Sequence, residues 1–166
     1  MCISVIKYPL LRFVKMDTQK NILIGGITGG IGSSVAKMLS SQTHTISGYA
    51  RSEDTLTALK SECPSIHTFT ADATETTNLA NTFKAAHEAM GSIDVYIHAI
   101  GSIIIKPAHL TNQTQWLDTL NLNLSSAFYA MKEALAIMQK QSNGSLIFYS
   151  STAVSYTHLR AHETGY

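Results

Sequence analysis

Three features of the chain have the residue types and spacing for chemistry. The first is Gly25-Gly26-Ile27-Thr28-Gly29-Gly30-Ile31-Gly32, which follows the apolar run Ile22-Leu23-Ile24 and leads straight into a helical pattern. A glycine-rich turn at a helix N-terminus can bring bare backbone against a diphosphate, whose charge meets free N–H groups and the helix dipole; glycine also serves tight strand-to-helix turns for packing alone. The second feature is Ser151, which follows the apolar run SLIFYS and so stands at the carboxyl end of a strand. Open parallel sheets bind ligands on that side, and the hydroxyl there either holds a substrate oxygen or simply ends the strand. The third is Asn123, whose amide either orients a proton relay or satisfies its own helix.

The elements that must position these groups alternate. Strands are expected over residues 22–26, 45–49, 66–70, 93–98 and 145–150, and helices over about 31–41, 53–61, 75–90 and 112–139, with Ser52 and Thr111 as N-caps. Strict alternation of apolar strands and helices implies right-handed crossovers and a parallel sheet covered on both faces. The fold class expected from this alternation is α/β, a doubly wound parallel sheet. In the fourth helix Trp116, Leu120, Leu124, Phe128, Met131, Leu135 and Met138 recur at three-to-four spacing and are expected to form one buried stripe.

The glycine pattern excludes one class and suits another. A Walker loop needs Lys-Ser or Lys-Thr where Ile31-Gly32 stands, so an ATPase reading fails, and Val35 occupies a place where the common dinucleotide fingerprint has Gly or Ala. What fits is Gly26-x-x-x-Gly30-x-Gly32, and here the chain resembles the short-chain dehydrogenase/reductase family, with Gly25 where that family has threonine. The resemblance recurs in order. Asp72 and Ala73, in Thr70-Ala71-Asp72-Ala73-Thr74, match the aspartate motif that meets the adenine ring. His98-Ala99-Ile100-Gly101 stands where the family has Asn-Asn-Ala-Gly, with only Gly101 kept. Asn123, in Leu120-Asn121-Leu122-Asn123-Leu124, is similar to the catalytic asparagine, and Ser151, after Gly144-Ser145-Leu146-Ile147-Phe148-Tyr149-Ser150, to the catalytic serine.

The resemblance implies a Rossmann-like sheet of order 3-2-1-4-5, here expected to be truncated after its fifth strand, and an oxidoreductase that interconverts an alcohol and a carbonyl by hydride transfer. The implied cofactor residues are Gly26, Thr28, Gly29, Gly30, Ile31, Gly32, Asp72, Ala73, His98, Ala99 and Gly101. Cofactor choice turns on the end of the second strand, Gly48-Tyr49-Ala50-Arg51. An acid about 20 residues past the glycines binds a ribose hydroxyl and an arginine accommodates a 2′-phosphate, so Arg51 favours NADP over NAD unless it is only a solvated strand-end residue.

The family's proton donor is a tyrosine whose pKa is lowered by a lysine four residues on, about a dozen residues after the serine. Tyr156 and Arg160 alone have the spacing, but too few residues separate Tyr156 from Ser151 to start a helix, and arginine offers a fork of donors in place of a compact ammonium. Residues 154–164, VSYTHLRAHET, also match without exception the translation of a transposon adapter used in preparing sequencing libraries. The expectation is therefore a natural sequence that gives out near Ala153, an adapter-derived tail over 154–166, and a fragment without the catalytic Tyr/Lys pair and hence inactive.

Bulk properties narrow the remaining classes. A chain of 166 residues is one domain's worth, and 45% hydrophobic against 14% charged residues argues for a packed core. A net charge of +1 gives no case for nucleic acid or an anionic membrane, and the longest apolar run is too short to cross a bilayer. Cys2 and Cys63 make neither a disulfide framework nor a metal site, which points to a reducing, cytoplasmic setting. Residues 1–15 read as a disordered or non-native lead-in before Met16, with the dinucleotide-binding domain over 16–153. The expected partner is a small alcohol or carbonyl substrate, with the full-length parent a homo-oligomer. A dinucleotide-binding sensor or scaffold of the same fold, without chemistry, is the alternative that the His98-Ala99 departure favours.

Overall fold

Alternation within the strands sorts the core into two layers. The computed structural model describes residues 2–7 and 18–150. In β2 (Asn21–Gly25), Leu23 points to one face of the sheet while Ile22 and Ile24 point to the other, and all three are buried. The Ile22 face is covered by α1 (Gly30–Ser40) and α2 (Glu53–Glu62) through Ala36, Leu56 and Leu59. The Leu23 face is covered by α3 (Thr76–Met90) and α5 (Ser126–Gln141) through Leu79, Phe83, Ala130 and Ala134. Coverage of both faces explains why the strands are apolar runs rather than half-polar ones.

The remaining strands are β3 (Thr45–Ala50), β4 (His67–Thr70), β5 (Val95–His98) and β6 (Ser145–Ser150). Five strands run parallel in the spatial order β4-β3-β2-β5-β6, which is the expected 3-2-1-4-5 arrangement. One strand was not anticipated from sequence: β1 (Cys2–Lys7), in the lead-in, pairs antiparallel with β6 from Cys2 opposite Ser150 to Lys7 opposite Ser145. It carries the β-branched residues Ile3, Val5 and Ile6, and it pairs the backbone groups on the outer side of β6.

The long fourth helix differs from expectation in two ways. It starts one residue later than predicted, with Asn112 rather than Thr111 as N-cap, because Asn112 and Gln115 form a reciprocal capping box. It is also interrupted. After α4 (Gln113–Leu120) a π turn covers Asn121–Ser125 before α5 begins. No residue of α4 is buried. The buried face of α5 is Ser126, Ala130, Ala134 and Met138, small residues for the most part, which let the helix lie close to the strands. Of the expected stripe, Met138 is buried and Met131 and Leu135 pack at its margin, whereas Trp116, Leu124 and Phe128 are 57%, 65% and 55% exposed.

This assignment predicts opposite outcomes for two substitutions measured by urea unfolding. Ala134→Leu should overpack the contact with the sheet and destabilise by about 1–3 kcal/mol. Phe128→Ser, which the stripe reading would make severe, should change stability by about 0.5 kcal/mol or less.

Candidate functional site

The site lies where the strand order reverses. From β2 the chain crosses to β3 on one side, and later returns to β5 on the other, so the carboxyl ends of β2 and β5 open a crevice between their following loops. Gly26 makes the turn out of β2 at φ +74°, a left-handed conformation that costs glycine little, and an added Cβ would stand 2.8 Å from the Ala99 carbonyl oxygen. Its N–H and that of Ile27 both donate to the carbonyl of Tyr49, tying the loop to the end of β3. Gly32 lies so close to the Gly26 carbonyl that any side chain would collide with it. These two contacts aim the first turn of α1 into the crevice.

That first turn is suited to an anion. The helix N-cap is Gly29, which offers no side-chain cap, and no acidic residue stands in the first turn. Gly29, Gly30 and Ile31 are exposed, and a Cβ on Gly30 would meet nothing within 4 Å. The amides at this end have no partner within the helix, so an incoming diphosphate can take them.

A cleft of about 320 Å³ extends from this turn across the ends of β3 and β4. Among the residues expected from sequence, Gly26, Thr28 and Gly29 line one wall, Arg51, Asp72 and Ala73 another, and Ala99 and Gly101 the side toward β5. Gly30, Ile31 and Gly32 form the helix start beside it. Ser52, Thr55 and Leu122 also line it and were not anticipated; Ser52 was legible only as the cap of α2, whose backbone contact from Thr55 spans 3.4 Å. A more open hollow of about 740 Å³ lies against β4 and α3, lined by Thr68, Glu75 and Asn78, away from the strand-order reversal.

Asp72 is held in place by its own loop. Its Oδ1 accepts from the Thr74 N–H at 2.8 Å and from the Thr74 hydroxyl at 2.7 Å. Partial burial pushes its carboxyl pKa up, but the two Thr74 hydrogen bonds and the nearby Arg51 charge outweigh that and leave it below 3.8. The group is a fixed acceptor at neutral pH.

Two expected residues are placed differently from the cleft wall. Asn123 sits in the π turn, where its Oδ1 accepts from the Ser102 N–H at 3.0 Å and its Nδ2 donates to the Thr119 carbonyl at 2.8 Å. It thus bridges the loop after β5 to the helix. His98 is 5% exposed and does not line the cleft. Its Nδ1 lies 2.8 Å from the Tyr96 hydroxyl, which in turn lies 2.8 Å from the Tyr49 hydroxyl, and its Nε2 lies 3.4 Å from Ser126 Oγ. The family resemblance implied a cofactor contact for His98; its ring lies in the core, where two fully buried tyrosines need partners. Ser151 falls outside the described residues, as do Tyr156 and Arg160.

The sequence profile described as short chain dehydrogenase matches residues 20–162. The chain belongs to the short-chain dehydrogenase/reductase family. This short-chain dehydrogenase/reductase is 26% identical over 136 residues to an uncharacterized oxidoreductase of Staphylococcus epidermidis, covering 81% of this chain and 59% of that one. It is 25% identical over 140 residues to an uncharacterized oxidoreductase of Schizosaccharomyces pombe, covering 84% and 47%. Among solved structures it resembles a short-chain type dehydrogenase/reductase from Mycobacterium ulcerans, with a TM-score of 0.79, 26% identity, and 86% and 54% of the two chains covered. The fold is also that of an actinorhodin polyketide ketoreductase solved with NADPH, at a TM-score of 0.78 and 22% identity over 86% and 57%. The chain thus spans about half to three-fifths of the length of these relatives.

Burial of His98 makes a pH prediction. Desolvation lowers its pKa from 6.5 to about 4, so the unfolded chain holds more protons than the folded one between those values. The stability from neutral His98 is full above pH 6.5 and is lost as pH falls toward about 4. Thermal unfolding across that window should show a loss on the order of 3 kcal/mol from this group. His98→Gln should flatten the slope, and an equal slope in both proteins would mean that the acid sensitivity lies elsewhere.

Proposed function

We propose that this chain carries the dinucleotide-binding domain, over residues 16–153, of an NADP-preferring oxidoreductase that interconverts an alcohol and a carbonyl. The carrying observation is one cleft that joins an uncapped, glycine-lined helix N-terminus to Arg51 at the end of β3. The first suits a diphosphate and the second a 2′-phosphate, and an acid that would prefer a ribose hydroxyl is replaced by Ala50. When bound, the nicotinamide cofactor supplies or accepts hydride at the substrate carbon. The polyketide ketoreductase of like fold, solved with NADPH, is consistent with this choice.

The chain's own residues have separate tasks in this reading. The glycine loop and the amides of Gly30, Ile31 and Gly32 hold the diphosphate, Asp72 accepts from the adenine, and Arg51 takes the additional phosphate charge. Ser151 holds the substrate oxygen and Asn123 orders the proton path. Tyr49 and Tyr96 are not the acid: both are fully buried in a hydrogen-bond chain, and burial pushes each hydroxyl pKa up from 10.0. The substrate is a small alcohol or carbonyl compound, and the compartment is the cytoplasm. The exposed Trp116, Leu124 and Phe128 support a homo-oligomer as the working form of the protein.

Binding measurements on this chain test the reading. Titration with NADPH and NADH should show tighter NADPH binding, and Arg51→Ala should weaken NADPH by about 10- to 100-fold, the loss of a charge-assisted phosphate contact, with little change for NADH. Equal losses for both dinucleotides would assign Arg51 to general structure and remove the case for NADP.

A further inference from the structure

The hydrogen bonds around His98 have only one consistent direction. Ser126 Oγ lies 2.6 Å from the Leu122 carbonyl oxygen, which can only accept, so the hydroxyl proton is spent there. Toward His98 Nε2, 3.4 Å away, Ser126 must therefore accept, and Nε2 must carry the ring proton. A neutral imidazole then has a bare Nδ1, which accepts from Tyr96, whose own oxygen accepts from Tyr49. The result is one polar line from Tyr49 through Tyr96, His98 and Ser126 to Leu122, with every member among the described buried residues satisfied.

The line ends at the turn that carries Asn123. The Ser126 N–H reaches back to the Asn121 carbonyl, five residues away, which is the bond that widens the helix into a π turn. An α-helical Ser126 would give that N–H to Leu122; instead its hydroxyl meets the Leu122 carbonyl. Ser126 thus bonds both carbonyls on either side of the register change, and His98 bonds Ser126. At the other end, Gly25 leaves room for the tyrosines: a Cβ there would stand 2.7 Å from both the Tyr49 and Tyr96 hydroxyl oxygens. Gly25 pairs with Tyr49 on one side and His98 on the other, so a single sheet row holds the line in register.

We infer that His98 is a positioning residue for Asn123, acting through Ser126 to fix the π turn on which Asn123 bridges Ser102 and Thr119. Two of the departures from the family pattern, Gly25 and His98, are then one coupled arrangement rather than two independent changes. Its catalytic consequence rests on the proposed role of Asn123, but the positioning itself does not.

Two ligand-free measurements on the whole chain test it, so failure of dinucleotide binding would sink the proposed function and leave this inference standing. Nitrogen-15 NMR of the histidine ring should show His98 with its proton on Nε2; a proton on Nδ1 reverses the line and overturns the inference. Amide exchange at Ser102, whose N–H is held by Asn123, should be about tenfold faster in Ser126→Ala and in His98→Ala, the effect of losing the buried Ser126–His98 bond behind the π turn that holds Asn123. Ser126→Thr keeps the hydroxyl and should restore the parent rate, and Tyr49→Phe, which leaves the Tyr96 contact to His98, should not change it. Unchanged Ser102 exchange in a folded Ser126→Ala, or acceleration by Ser126→Thr as large as by alanine, would overturn it. Should Ser126→Ala fail to fold, the ring tautomer of the unaltered chain still decides.

Discussion

The close approach of Gly32 to the Gly26 carbonyl is the constraint on which the rest of the site depends. A side chain on either glycine would push α1 away from the sheet: one would strike the Gly26 carbonyl and the other the Ala99 carbonyl. With both absent, the helix starts directly over the reversal of strand order, and its free amides face the same crevice as the loops after β3, β4 and β5. That placement sets Arg51 and Asp72 in the same cleft as the free amides of α1. The core supports it from both sides, with Ile27 and Ala36 packed under the loop and helix on the Ile22 face of β2.

On the opposite face the sheet handles polarity by enclosing it. Tyr49, Tyr96, His98 and Ser126 are buried among Phe83, Ala130 and Phe148, and each finds a partner within the line. Such a line costs much if broken, because a buried donor or acceptor left alone has lost water without replacement. Ser47 Oγ, by contrast, is buried without a partner among the described residues. A satisfied network in the core specifies one arrangement of strands β2, β3 and β5 with the π turn, which is a stricter requirement than apolar packing makes.

Much of the fold was legible because its signals are local. Runs such as Ile22-Leu23-Ile24 and Val95-Tyr96-Ile97, each leading into a turn and then a helix, report a strand buried on both faces without reference to any other part of the chain. The cap at Ser52 was likewise readable, since a serine before two acids needs only the next three residues to act. The stripe from Trp116 to Met138 was misread for a physical reason. Periodicity finds the most apolar side of a helix, but the side of α5 that meets the sheet carries Ser126, Ala130 and Ala134, while Phe128 on the same helix lies outward and α4 buries nothing.

By itself the sequence determined the alternation of elements, a parallel sheet covered on both faces, the glycine turn, and the identity of the charged groups at the strand ends, because each comes from periodicity, turn chemistry or a motif only a few residues long. Only the tertiary structure decided what His98 does, why Gly25 bears no side chain, and that β1 lies along β6. Those outcomes depend on residues far apart in the chain meeting across the sheet: Gly25 is flanked by Tyr49 and His98, and the hydroxyls of Tyr49 and Tyr96 fill the space where its side chain would stand. No local pattern carries that information, since the space available to one side chain is set by the neighbours that folding brings to it.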